Sequence, residues 1–122
     1  MLGWSDQDLC DVHDLVMLDL DGVVYVGGAA VPGAAEAISS ARQRGMRPAY
    51  VTNNASRTPD TVADHLTDLG VPAEAADVVT SAQAAARVLG KELRPGARVV
   101  LLGAAGLETA LRAEGLEPVG VE

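Results

Sequence analysis

The chain has 122 residues, 48% of them apolar, which suits one small domain or part of a larger one. Its formal charge of −8, with no clustered Lys or Arg, leaves no electrostatic footprint for nucleic acid or an anionic membrane, so neither is expected as a partner. Cys10 is the only cysteine, which excludes an intramolecular disulfide and a cysteine-built metal cluster and fits a reducing, cytoplasmic setting.

Residues 1–14 read as a polar lead-in. They carry Asp6, Asp8, Asp11 and Asp14 without a basic n-region, and nowhere does the chain approach the roughly 18 apolar residues needed to span a bilayer. Phe is absent, so the core must come from Leu, Val, Ile and Ala, and the many alanines imply close helix-to-sheet packing. Trp4 is expected to cover a neighbouring apolar surface, because large aromatics bury well. His13 is given no role.

The chain is organised around residues 15–23, Leu-Val-Met-Leu-Asp-Leu-Asp-Gly-Val, an apolar run that ends in two carboxylates and a glycine. So short a run predicts a buried strand of an α/β sheet, and the carboxyl ends of such strands are where open sheets place their chemistry. Asp19 and Asp21 project to the same side of a strand, while Gly22 turns the chain so that the two can serve different roles. Two carboxylates at a strand tip imply a cation. A calcium loop also begins Asp-x-Asp-Gly, but it needs alternating oxygen ligands where Val23, Val24, Tyr25 and Val26 stand.

Residues 23–31, interrupted by Gly27 and Gly28, predict a small hairpin or flap beside that tip. Pro32 opens a helix with Ala34, Ala37, Ile38 and Ala41 at helical spacing, and Gly45 stops it. Residues 47–52 form a second strand, also ending in polar residues: Thr52, Asn53, Asn54. Pro59 opens a helix with Val62, Leu66 and Leu69 facing inward, Gly70 closes it, and His65 is placed on its surface. Residues 76–80 give a third strand, and Thr80 with Gln83 has capping-box spacing for a helix ending near Gly90. After the Arg94-Pro95-Gly96 linker come a strand at 98–102, a helix at 104–114 facing inward through Leu107, Ala110 and Leu111, a stop at Gly115, and a strand at 118–121. Such alternation predicts an α/β fold with a Rossmann-like parallel sheet.

Thr52, Asn53 and Asn54 offer a hydroxyl, amides and backbone N–H groups beside Asp19, neutral donors suited to a phosphate. An Asn-Asn turn alone is a weak signal. In tandem with Asp-x-Asp-Gly it is strong. Leu102-Gly103-Ala104-Ala105-Gly106 lacks the three-glycine spacing of a dinucleotide fingerprint and reads as a tight βα turn.

With LVMLDLDGVVYVGG at 15–28, YVTNNAS at 50–56, DVVTSAQAAARVL at 77–89 and RVVLLGAAGLETALRAEGLEPV at 98–119, the sequence resembles the haloacid dehalogenase superfamily over residues 14–121. It is most similar to the subclass IIA phosphatases that act on nucleotides, phosphoglycolate, pyridoxal phosphate or p-nitrophenyl phosphate. The resemblance implies Asp19 as the nucleophile that forms an aspartyl phosphate, Asp21 as general acid and then base, Asp19 and the Asp21 carbonyl as ligands of Mg²⁺, and Thr52, Asn53 and Asn54 as phosphate-binding residues. Asp21 must begin the cycle protonated. The pattern also calls for a later lysine and a later acidic motif; Lys91, Glu117 and Glu122 lack the strand-tip context to supply them.

The chain is therefore expected to be the N-terminal portion of a phosphatase acting on a small phosphorylated metabolite, with the hydrolase core at 1–93 and the start of an α/β cap at 94–122. The alternative is a non-catalytic phosphate-binding or interaction module derived from that fold. Uncovered strand edges and helix faces would favour self-association into a homo-oligomer.

Overall fold

The computed structural model describes residues 3–121. Met1 and Leu2 of the lead-in, and Glu122, lie outside the described residues. The chain order is α1 (Leu9–Val12), β1 (Leu15–Asp19), β2 (Tyr25–Val26), β3 (Ala29–Ala30), α2 (Ala34–Gln43), β4 (Arg47–Thr52), α3 (Pro59–Asp68), β5 (Val78–Thr80), α4 (Ser81–Glu92), β6 (Arg98–Val100), α5 (Ala105–Ala113) and β7 (Glu117–Val119). A 3-10 turn, Ala75–Asp77, leads into β5.

β1, β4 and β5 form a parallel sheet in that order, with Leu15 opposite Arg47 and Tyr50 opposite Val78. β6 and β7 pair in parallel as a separate sheet, and β2 and β3 form the hairpin expected after the first strand. The caps follow local chemistry. Thr58 accepts from the Thr61 N–H ahead of Pro59 in α3, and Thr80 and Gln83 make both bonds of a capping box at 3.1 and 2.9 Å. Gly45 and Gly70 end α2 and α3 with φ of 90° and 87°, where a side chain would be strained. Pro32 precedes the cap of α2, with Gly33 as N-cap, so it lies just outside the helix it was expected to open.

Two apolar clusters form. The first joins Leu20, Val24 and Tyr25 of the flap region to Ile38, Tyr50, Val62, Leu66, Val71 and Val78. The second joins Ala82 and Ala86 of α4 to Ala97, Ala110, Leu111 and Leu116. The alanines of α4 thus serve close packing on α5, with Val99 of β6 against the same cluster. Gly90 belongs to the same contact: α4 runs on through it to Glu92, and a Cβ at Gly90 would meet the Glu114 Cβ at 3.1 Å. The glycine is kept by a close approach and does not stop the helix.

Other expectations are corrected by packing. Trp4 is 87% exposed, because the short α1 turn carries the lead-in away from the clusters. This turn is capped by Asp8 and tethered through Asp8 and Asp11 to Arg44. β1 is not buried: Met17 is 68% exposed, because β1 is an edge strand of the sheet among the described residues and its outer face is bare. Strand 76–80 shortens to 78–80, where the 3-10 turn takes Ala76 and Asp77, strand 98–102 shortens to 98–100 as its ladder pairs run out, and the last strand runs over 117–119 in place of 118–121.

Tyr50, with 0% exposure, carries a hydroxyl without a hydrogen-bond partner among the described residues. Burial, the first cause, pushes its phenol above the ordinary value, with Arg42 opposing and Asp77 adding to the rise. A raised value means that the folded state holds the proton more tightly. This contribution is complete below the unfolded tyrosine value of about 10 and is lost as pH climbs from there through the folded value. Tyr50→Phe removes an unsatisfied buried group, so it should be neutral or stabilising at pH 7, by up to about 1–3 kcal/mol, and should soften the fall in stability above pH 10. Urea unfolding at pH 7 and pH 10.5 checks this. A clear loss of stability at pH 7 would mean that the hydroxyl has a partner.

Candidate active site

Parallel pairing sets Asp19 opposite Val51 and Thr52 opposite Thr80. The β1 tip, the β4 tip and the residues that follow each therefore meet at the carboxyl end of the sheet, the end where chemistry collects in open α/β folds. All five predicted residues, Asp19, Asp21, Thr52, Asn53 and Asn54, stand at that end.

The first tip is built by a tight turn. Asp19 closes β1 and its Oδ1 accepts the Leu20 N–H at 2.9 Å, which fixes the side chain and leaves the second carboxylate oxygen without a protein donor among the described residues. Leu20 is fully buried beneath it, and its carbonyl accepts from Val23, Val24 and Tyr25. Gly22, with φ of 82°, donates to the Tyr25 carbonyl at 2.8 Å and carries the chain back into the flap. Asp19 and Asp21 are both exposed on either side of the buried Leu20. The Asp21 carboxylate and main-chain carbonyl accept no hydrogen bond among the described residues.

The second tip is a set of donors arranged by its own short-range bonds. Thr52 is 3% exposed, and its Oγ1 accepts the Asn54 N–H at 3.1 Å, while its hydroxyl hydrogen has no acceptor among the described residues. Asn54 Oδ1 accepts from the Ser56 N–H at 3.0 Å and the Ser56 hydroxyl at 2.6 Å, which turns the Asn54 amide NH₂ into the outward donor. Asn53 is exposed, and its carbonyl accepts from the Ser81 hydroxyl at 3.0 Å. Hydroxyl and amide donors gathered with two carboxylates at one sheet end suit an anion that meets a nucleophile there.

Tyr25 and His65 were not anticipated. Tyr25 sits edge-on to the His65 ring at 4.8 Å and 77°, holding the flap against α3, so His65 is a packed residue rather than a surface one. Burial first, then the charge on Asp21, raises the Tyr25 phenol above its ordinary value; Arg57 opposes this and Asp19 adds to it. The phenol is thus a protonated donor at neutral pH within the field of both aspartates. The signal in the sequence was scarcity: Tyr25 and Tyr50 are the only tyrosines.

Residues 16–117 match the model of the haloacid dehalogenase-like hydrolase family. Among curated proteins, the chain is 45% identical over 113 residues to a D-glycerol 3-phosphate phosphatase of Mycobacterium tuberculosis, covering 93% of this chain and 31% of that protein. It is 44% identical over 100 residues to an acid sugar phosphatase of Staphylococcus saprophyticus, covering 82% of this chain and 38% of that protein. Among solved structures, a glycerol phosphate phosphatase from Mycobacterium tuberculosis in complex with magnesium superposes with a TM-score of 0.85 at 46% identity, over 91% of this chain and 33% of that one. The chain spans about a third of the length of the curated relatives it matches.

Proposed function

Because the chain belongs to the haloacid dehalogenase-like hydrolases, we propose that it carries the nucleophile and phosphate-binding half of a Mg²⁺-dependent phosphomonoester hydrolase. The observation that carries this reading is the meeting of Asp19 and Asp21 with the Thr52–Asn54 donors at one end of the sheet. The substrate is a small phosphorylated metabolite, in line with the glycerol and sugar phosphates named for the relatives.

In this mechanism the free carboxylate oxygen of Asp19 attacks phosphorus, a P–O bond forms to Asp19, and the P–O bond to the ester oxygen breaks. Asp21 gives its proton to the departing alkoxide. It then takes a proton from water, whose oxygen attacks the aspartyl phosphate, releasing inorganic phosphate and restoring the Asp19 carboxylate. Thr52 and the Asn53/Asn54 region hold the phosphoryl oxygens through neutral donors, so no salt bridge competes with the approach of Asp19. Tyr25 holds the flap beside them.

The donor set fits Mg²⁺. The Asp19 carboxylate oxygen that does not attack, Oδ1, keeps a lone pair beside the Leu20 N–H bond, and with the Asp21 carbonyl it would be a hard ligand for this ion, which takes one or two carboxylates while keeping several waters. When bound there, it offsets the repulsion between a carboxylate and a phosphate dianion. No group of three His, Cys, Asp or Glu side chains gathers among the described residues. The family pattern adds a lysine and a further acidic ligand to such a site, and in this proposal the full polypeptide supplies them. Residues 94–122 are the opening β-α-β of a cap in this proposal, and α4 is the core helix on which they pack.

The test is release of inorganic phosphate from p-nitrophenyl phosphate, glycerol 3-phosphate and sugar phosphates by the full polypeptide that carries this sequence. Turnover that needs Mg²⁺ and stops with chelator is expected. Turnover indifferent to chelator would overturn the metal assignment, and none on any phosphomonoester would favour the non-catalytic module.

A further inference from the structure

The loop after β4 is gripped at three points by the α4–α5 pair. At its start, the Ser81 hydroxyl at the first turn of α4 donates to the Asn53 carbonyl at 3.0 Å. In its middle, the Ala55 side chain packs on the second apolar cluster. At its end, the Gly106 N–H in the first turn of α5 donates to the Ser56 carbonyl at 3.1 Å. Gly106 itself is buried, and a Cβ there would meet the Arg57 carbonyl oxygen at 2.4 Å and the Ala55 carbonyl oxygen at 2.5 Å. Both obstacles are backbone, so no rotamer change relieves them. Its φ is not positive, so turn geometry does not account for the glycine.

Resting on the phosphate reading of Thr52–Asn54 given above, we propose that Gly106 and Ser81 are positioning residues for phosphate binding: the α4–α5 pair is the mould that sets the 53–57 loop. The donors at 52–54 are fixed on one side by β4 and on the other by this mould. Loop and second cluster then move as one body, and a disturbance at Gly106 reaches the phosphate without touching it. In an unencumbered helix, Gly→Ala stabilises the helix. Here the same change must push α5 and the loop apart.

The test is titration of the full polypeptide that carries this sequence with inorganic phosphate in the presence of Mg²⁺, following the backbone amides of Asn53, Asn54 and Ser56 by NMR, for wild type, Gly106→Ala, Ser81→Ala and Ala85→Gly. Ala85 is an exposed residue of α4 that belongs to neither apolar cluster and serves as the control for lost helix stability. Gly106→Ala is expected to shift the Asn54 and Ser56 amides before phosphate is added and to weaken phosphate binding about tenfold, the equivalent of one good hydrogen bond. Ser81→Ala should weaken it several-fold and keeps the proposal testable should Gly106→Ala not fold. Ala85→Gly should lower the melting temperature with phosphate affinity unchanged. Wild-type affinity in both Gly106→Ala and Ser81→Ala, or an equal loss in Ala85→Gly, would overturn the mould. Loop amides indifferent to phosphate in the wild type would overturn the phosphate reading itself, a failure visible before any variant is made.

Discussion

Asp19→Asn is expected to abolish turnover of an aryl phosphate by the full polypeptide, with a loss of about 10⁴-fold or more, as follows when a covalent nucleophile is removed. The substitution leaves the local structure in place: an asparagine Oδ1 accepts the Leu20 N–H as the aspartate Oδ1 does at 2.9 Å, and the position is exposed, so nothing buried is disturbed. Stability should therefore hold while chemistry stops. What is lost is the oxygen that attacks and the negative charge offered to Mg²⁺. Steady-state kinetics beside a urea melt separate the two effects. Near-wild-type turnover would remove Asp19 from the role of nucleophile.

Asp21→Asn should give a loss that depends on the leaving group. General acid catalysis is worth about 10²–10⁴-fold, and an alkoxide needs it far more than p-nitrophenolate, which leaves readily without a proton. Hydrolysis of glycerol 3-phosphate should thus fall well below that of p-nitrophenyl phosphate in this variant. Asp21 makes no hydrogen bond among the described residues that the change would break, so the discrimination cannot be laid to misfolding. Equal losses on both substrates would take the proton-donor role away from Asp21.

Much of this was legible in the sequence because the signals were local. The alternation of strand and helix, the Thr80–Gln83 capping box, the glycine stops at 45 and 70 and the two polar strand tips depend on neighbours a few residues away. The five candidate residues could be placed at one end of the sheet because polar residues that close an apolar strand are a local signal. What escaped was decided by contacts distant in sequence. Gly90 reads as a helix stop, yet its reason is the close approach of Glu114 at the end of α5. Gly106 reads as part of a βα turn, yet its reason is the backbone at Ala55 and Arg57. His65 reads as a surface position because nothing nearby in sequence announces the Tyr25 ring against it. β1 reads as buried because apolar composition reports what a strand is made to cover, not how many neighbours it has in the sheet.

The central claim is that the Asp19 carboxylate takes the phosphoryl group. The most direct measurement mixes the full polypeptide with substrate and Mg²⁺, quenches during turnover, reduces with borohydride and sequences the peptide that spans β1. An acyl phosphate is reduced to an alcohol while free carboxylates are not, so homoserine at position 19 is the predicted result. Homoserine at another position, or an unreduced aspartate at 19 under conditions where an acyl phosphate survives the quench, would contradict it.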